Sequence, residues 1–133
     1  MKTFFISTIL VSSIALTACK KDKHDDHDDH EDHATALITI TNPQENDTIQ
    51  GNFTITGSIA GTANLHGYQV TVKKALNDSI IYQSSTDEHT TNFTINQAVT
   101  NPFTVYTPLK LEVVTVLDHD GNTESKTVHF VVH

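Results

Sequence analysis

The chain has 133 residues, with eight lysines, no arginine, sixteen acids and nine histidines, for a formal net charge of −8. No basic face can be built from that inventory, which argues against nucleic acid as a partner and against charge-driven binding to anionic lipid. Cys19 is the only cysteine, so there is no intrachain disulfide and no thiolate metal cluster, and an exported domain must be held by its core.

Met1-Lys2 gives a short positive start, and Phe4 to Leu16 is an apolar run interrupted only by serine and threonine. A bilayer span needs about 20 apolar residues. This shorter run, with its small-residue exit, has the proportions of a secretory signal, so residues 1–18 are expected to be absent from the mature protein. The exit Leu16-Thr17-Ala18-Cys19 resembles the lipobox of bacterial lipoproteins. The resemblance implies cleavage before a diacylglyceryl cysteine at position 19, and membrane attachment through that lipid at the bacterial cell envelope, with the outer membrane favoured and the leaflet left open.

Residues 19–35 form the next unit. After Cys19 come Lys20, Lys21 and Lys23, and then His24, His27, His30 and His33 at every third position with acids between them. From Lys20 to His33 there are seven acids against three lysines, so the segment is expected to be an extended, disordered tether. An acidic stretch soon after the lipidated cysteine also resembles the surface-export signal of Bacteroidota lipoproteins. Neutral imidazole suits zinc, copper(II) and nickel, and a flexible chain with this period can bring two to four rings to one ion. The interleaved carboxylates add negative potential and can accept the second N–H of a ligating ring. The plainer reading is a solvated spacer whose histidines only titrate.

From residue 36 to 133 the texture turns to threonine, valine, isoleucine and asparagine, with turn residues every eight to twelve positions, which is an all-β pattern. Strands are expected at Leu37 to Thr41, Asn52 to Ile59, Tyr68 to Lys73, Ser79 to Gln83, Thr91 to Asn96, Leu109 to Leu117 and Thr123 to Val132. Gly61 to Gly67 and Ser84 to Thr90 read as loops. In the third strand Tyr68, Val70 and Val72 alternate with outward Gln69, Thr71 and Lys73; in the sixth, Leu111, Val113, Thr115 and Leu117 share one face, so it is placed centrally. Asp118-His119-Asp120-Gly121-Asn122 reads as a tight turn. Seven strands without a helix predict an immunoglobulin-like β-sandwich. The ending from Leu111 through Asp118 and Gly121-Asn122 into an alternating strand, with Leu65-His66-Gly67-Tyr68 and Asp87-Glu88-His89, resembles small Bacteroidota lipoproteins carrying an Ig-like domain of an unknown-function family.

In that topology the connections after the second, fourth and sixth strands meet at one end. They carry His66, His89 and His119, with Asp87, Glu88, Asp118 and Asp120 alongside as supporting carboxylates. A metal site shared by these three histidines is therefore expected, set against the plainer reading of ordinary polar loop residues. His129 and His133 are expected near the opposite end as bystanders. Asp118-x-Asp120-Gly121 lacks the remaining ligands of a 12-residue calcium loop, so calcium is not favoured.

The sequence holds no phosphate loop, nucleophile elbow or His-Glu-x-x-His helix, and it reads as non-enzymatic. The expected function is an envelope lipoprotein that binds divalent transition metal as buffer, scavenger or handover module, with a metal transporter or another envelope protein as its partner. The alternative is an adhesive or structural module in which the tail is only a spacer.

Overall fold

The computed structural model describes residues 34–133, so Cys19, His24, His27, His30 and His33 lie outside the described residues. The strands are β1 at Ala36–Asn42, β2 at Thr48–Ile49, β3 at Phe53–Lys74, β4 at Ile80–Val99, β5 at Thr107–Val116 and β6 at Thr123–Val132. The described residues contain no helix, and they fold as an all-β sandwich made from one curled sheet.

β3 and β4 pass from one layer of the sandwich to the other. The first half of β3 lies between β1 and the second half of β4, with Ile59 opposite Ile38 on one side and Phe93 on the other. The second half of β3 lies between the first half of β4 and β5, with Val72 opposite both Tyr82 and Leu111. β6 continues this layer beside β5, and β2 adds a short parallel pairing at its far edge.

All seven expected strand segments are present, but four of them join in pairs. Gly61 to Gly67 and Ser84 to Thr90, expected as loops, are strand. The cause is that β3 and β4 remain partners through the crossing, with Leu65 opposite Thr90 and His66 opposite His89. The bend is taken up by register irregularities between Ala60 and Leu65 and between His66 and Tyr68, in the manner of β-bulges that turn a strand without ending it.

The alternating apolar residues of both layers meet in one core. Ile55, Ile59, Val70, Val72, Leu109, Leu111 and Val113 are completely buried. Phe53 of one layer meets Phe130 of the other edge to face at 5.3 Å, and Tyr68 meets Phe93 at 5.0 Å. β5 has a partner on each side and buries Leu109, Leu111, Val113 and Thr115, with Leu117 just beyond it. Thr71 departs from expectation: it alternates with core-facing Val70 and Val72 yet is only 4 % exposed, since its register partners Gln83 and Glu112 flank it. On the same outward face Lys73 pairs with Glu112 at 2.8 Å, and Lys110 pairs with Asp78.

Candidate functional site

The strand crossing and the β5–β6 turn lie together because Tyr68 is the register partner of Thr115, two residues before Leu117. Each element is pinned by a buried leucine beside its histidine. Leu65 is completely buried and precedes His66, while Leu117, 7 % exposed, precedes Asp118 and His119. His89 is positioned by its pairing opposite His66.

The turn is fixed by its own side chains. Asp118 Oδ1 accepts from the backbone N–H of Asp120 at 3.0 Å and of Asn122 at 3.1 Å, and Oδ2 accepts from Asn122 Nδ2 at 2.7 Å. Gly121 takes φ +85°, which suits glycine. His119 is thereby held at the tip of a braced turn.

Gly67 sets the geometry on the other side. Its φ is +95°, and a Cβ there would stand 2.0 Å from the Thr86 carbonyl oxygen, so the bulge that turns His66 requires glycine. The Gly67 carbonyl accepts a 2.8 Å hydrogen bond from Thr115 Oγ1, which is completely buried.

The three imidazoles converge. The ring of His66 lies 4.4 Å from that of His89 and 4.1 Å from that of His119, and the outer two are 6.3 Å apart. His66 is half-buried and central; His89 and His119 are exposed. Burial, then the neighbouring His119 and His89, hold the His66 pKa below the usual histidine value, and Asp118 partly opposes them. A site that favours neutral imidazole favours its ligand form, because a protonated ring cannot coordinate. Two histidines sharing a tetrahedral zinc at ordinary Zn–N distances have ring centroids about 5 Å apart, and the three separations bracket that value. The rings now meet tilted or edge to face, and among the described residues no group of three or more His, Cys, Asp or Glu stands at metal-holding spacing as it is.

The carboxylates are placed differently from one another. Asp118 is committed to the turn, Asp120 is exposed, and exposed Asp87 borders an open cleft of about 340 Å³ beside His66. Gln69, Ser85, Val114 and Val116 also line this cleft. His129 and His133 are at the other end: the His129 N–H donates to Glu45 Oε2 at 2.8 Å, and His133 stacks on Tyr106 at 4.4 Å.

Gly67, Thr115 and the cleft were not singled out from the sequence. A lone threonine among Leu111, Val113 and Leu117 on a core-facing strand was the available signal, since a buried hydroxyl needs a partner. No protein-family model matches the chain, and no curated protein is significantly similar to it.

Proposed function

We propose that this chain is a lipid-anchored protein of the bacterial cell envelope, tethered through Cys19, that binds zinc or copper(II), with nickel as a further candidate, and serves as a metal buffer, scavenger or handover module. The observation that carries the reading is the meeting of His66, His89 and His119, from three separate parts of the chain, with ring centroids 4.1 to 6.3 Å apart. The repeated histidines of the tail, His24, His27, His30 and His33, supply a second and more adaptable set of ligands in the sequence. The fold itself is an Ig-like carrier that brings the three rings together, and the anchor and the Bacteroidota lipoprotein resemblance belong to the same proposal.

The test is calorimetric titration of zinc and of copper(II) at pH 7.5 into the mature chain and two full-length variants. One variant replaces the four tail histidines by serine, and the other replaces His66, His89 and His119 by alanine. Binding that survives the first variant and is reduced in the second supports a site on the sandwich. Binding lost with the tail alone confines the chemistry to the tether. Absence of binding in the unaltered chain overturns the proposal in favour of an adhesive module on a spacer.

A further inference from the structure

The end of the sandwich opposite the three imidazoles is formed by the β3–β4 turn, the connection from β4 to β5 and the last residues of β6. Both connecting segments are braced. At the turn the Lys74 N–H donates to the Ser79 carbonyl at 2.9 Å, and the Ala75 N–H donates to the Pro108 carbonyl at 3.0 Å. In the connection the Phe103 N–H donates to Asn101 Oδ1 at 3.0 Å, Asn101 Nδ2 donates to the His133 carbonyl at 3.3 Å, and Thr107 Oγ1 donates to the Val105 carbonyl at 2.9 Å. The Lys74 ammonium lies 4.9 Å over the Phe103 ring and joins the two segments.

These braced segments hold apolar side chains in solvent. Leu76 is 93 % exposed, Tyr106 70 %, Val105 68 % and Ile80 53 %, and they are four of the five large apolar residues exposed among the described residues. The fifth, Leu37, stands opposite Ala60 at the histidine end. Single exposed apolar residues are ordinary, but a group of them on neighbouring turns marks a contact surface. The charges favour the same end. Lys73, Lys74 and Lys110 are three of the four lysines in residues 34–133. The acids here are engaged: Asp78 pairs with Lys110, Glu45 meets His129, and Asp47 accepts from the Gln44 N–H. Asp87, Glu88 and Asp120 stand exposed at the histidine end instead, so an anionic surface repels the apolar end least.

We propose that this end contacts a phospholipid bilayer, with Leu76, Val105 and Tyr106 entering the boundary between headgroups and acyl chains and Ile80 at their edge. Apolar side chains on two protruding turns need no partner of matching shape in a fluid boundary. Tyrosine suits that depth, and a lysine stem laid along an apolar ring lets its ammonium reach the phosphates. Burial of the apolar side chains drives the contact, and the lysines orient it. The inference rests on the lipid-anchor reading only for the nearness of a bilayer. The chain enters the sandwich at the histidine end, where the Thr35 N–H donates to Thr62 Oγ1 at 3.0 Å. From Cys19 to Ala34 the chain can reach at most about 50 Å, whereas the seven residues of β1, which runs between the two ends, span about 24 Å. The apolar end can therefore return to the membrane that holds Cys19, which leaves the imidazoles facing away from it.

The experiment uses the mature chain with Cys19→Ser, so that no acyl chain contributes, sedimented with vesicles of phosphatidylethanolamine and phosphatidylglycerol. The expected result is binding that falls about tenfold or more in the Leu76→Ser, Val105→Ser, Tyr106→Ser triple variant and is unchanged in Leu37→Ser. A native-like thermal transition in the triple variant shows that the fold is kept. In a separate Tyr106→Trp variant, lipids brominated on their acyl chains should quench the indole. Absence of vesicle binding overturns the inference and leaves the Cys19 anchor untouched, since neither protein carries the lipid. Equal binding by the triple variant, or binding without quenching, also overturns it. A dimer in solution that the triple variant converts to monomer, without vesicle binding, would assign the surface to a second copy of the chain and overturn the bilayer contact.

Discussion

The hydroxyl of Thr115, completely buried in β5, donates to the carbonyl of Gly67, 2.8 Å away on β3. This bond joins the strand that leads into the His119 turn to the bulge that orients His66. Thr115→Val keeps the shape, removes the donor and leaves a buried carbonyl without it. The expected cost is about 1–3 kcal/mol, read from urea denaturation, with Thr115→Ser close to the native value. If zinc binding depends on the three rings, Thr115→Val also weakens it.

Gly67→Ala is expected to be more severe. The substitution places a Cβ against the Thr86 carbonyl and forces alanine to φ +95°. A left-handed conformation alone costs a side-chain-bearing residue about 1–3 kcal/mol, and the backbone clash adds to it. Denaturation should show a loss of about 3 kcal/mol or more, together with faster hydrogen exchange in the strand crossing. A native-like midpoint would show that β4 yields at Thr86 without loss of the bulge.

The titration of His66 gives a pH signature whose sign is fixed by the lowered pKa. The folded chain holds this proton less tightly than the unfolded chain, in which the value is near 6.5. The unfolded state therefore binds more protons as pH falls through 6.5 towards the lower folded value, and stability declines across that window. Asp78 contributes in a different range. Its hydrogen bond and charge pairing with Lys110 lower its pKa below 3.8, so its stabilisation is present above that value and is lost only as pH falls through the lower one. Comparing urea midpoints at pH 7.5 and 5.5 isolates the histidine: His66→Gln should lose less stability between them than the native chain. An identical loss in both proteins would place the pH dependence elsewhere.

The alternation of Phe53, Ile55 and Ile59 and of Leu111, Val113 and Leu117 made the two layers and the central place of β5 legible in the sequence, because half-buried strands impose a period of two. Continuity through the crossing was not legible. Gly61, Gly67 and the polar run from Ser84 to Thr90 carry the composition of loops, and only pairing between distant strands keeps them extended. The meeting of His66, His89 and His119 was anticipated from loops sharing an end, but His66 and His89 meet as register partners within β3 and β4, and only His119 belongs to a turn. The cleft could not be anticipated, because its lining combines β3, β4 and β5 across several register positions.

Phe130→Ala tests whether the two layers share one core. Phe130 is 2 % exposed and meets Phe53 across the sandwich. Truncating a buried phenylalanine typically costs about 3–5 kcal/mol through lost transfer energy and the cavity left behind. A loss of that size in denaturant is expected, with a single transition for probes in β1 and β6. Separate transitions would mean that the layers unfold independently.

Removal of metal provides the last prediction, and its size follows from linkage. A ligand that binds only the folded chain stabilises it by about 2.7 kcal/mol at one hundred times its Kd. For a domain of this size each kcal/mol shifts Tm by roughly 4–8 °C. In the chain whose four tail histidines are serine, saturating zinc should therefore raise Tm by roughly 10–20 °C, and a chelator should reverse the rise. The effect requires only that zinc bind the folded chain more tightly than the unfolded one. His66 and His89 face each other on β3 and β4, whereas His119 belongs to the β5–β6 turn, so ligation closes a link between distant parts of the chain. His119→Ala removes that link while leaving the His66–His89 pair. It should abolish most of the Tm rise even where weak zinc binding persists. A rise undiminished in His119→Ala would assign the metal to the strand pair alone and exclude the turn from the site.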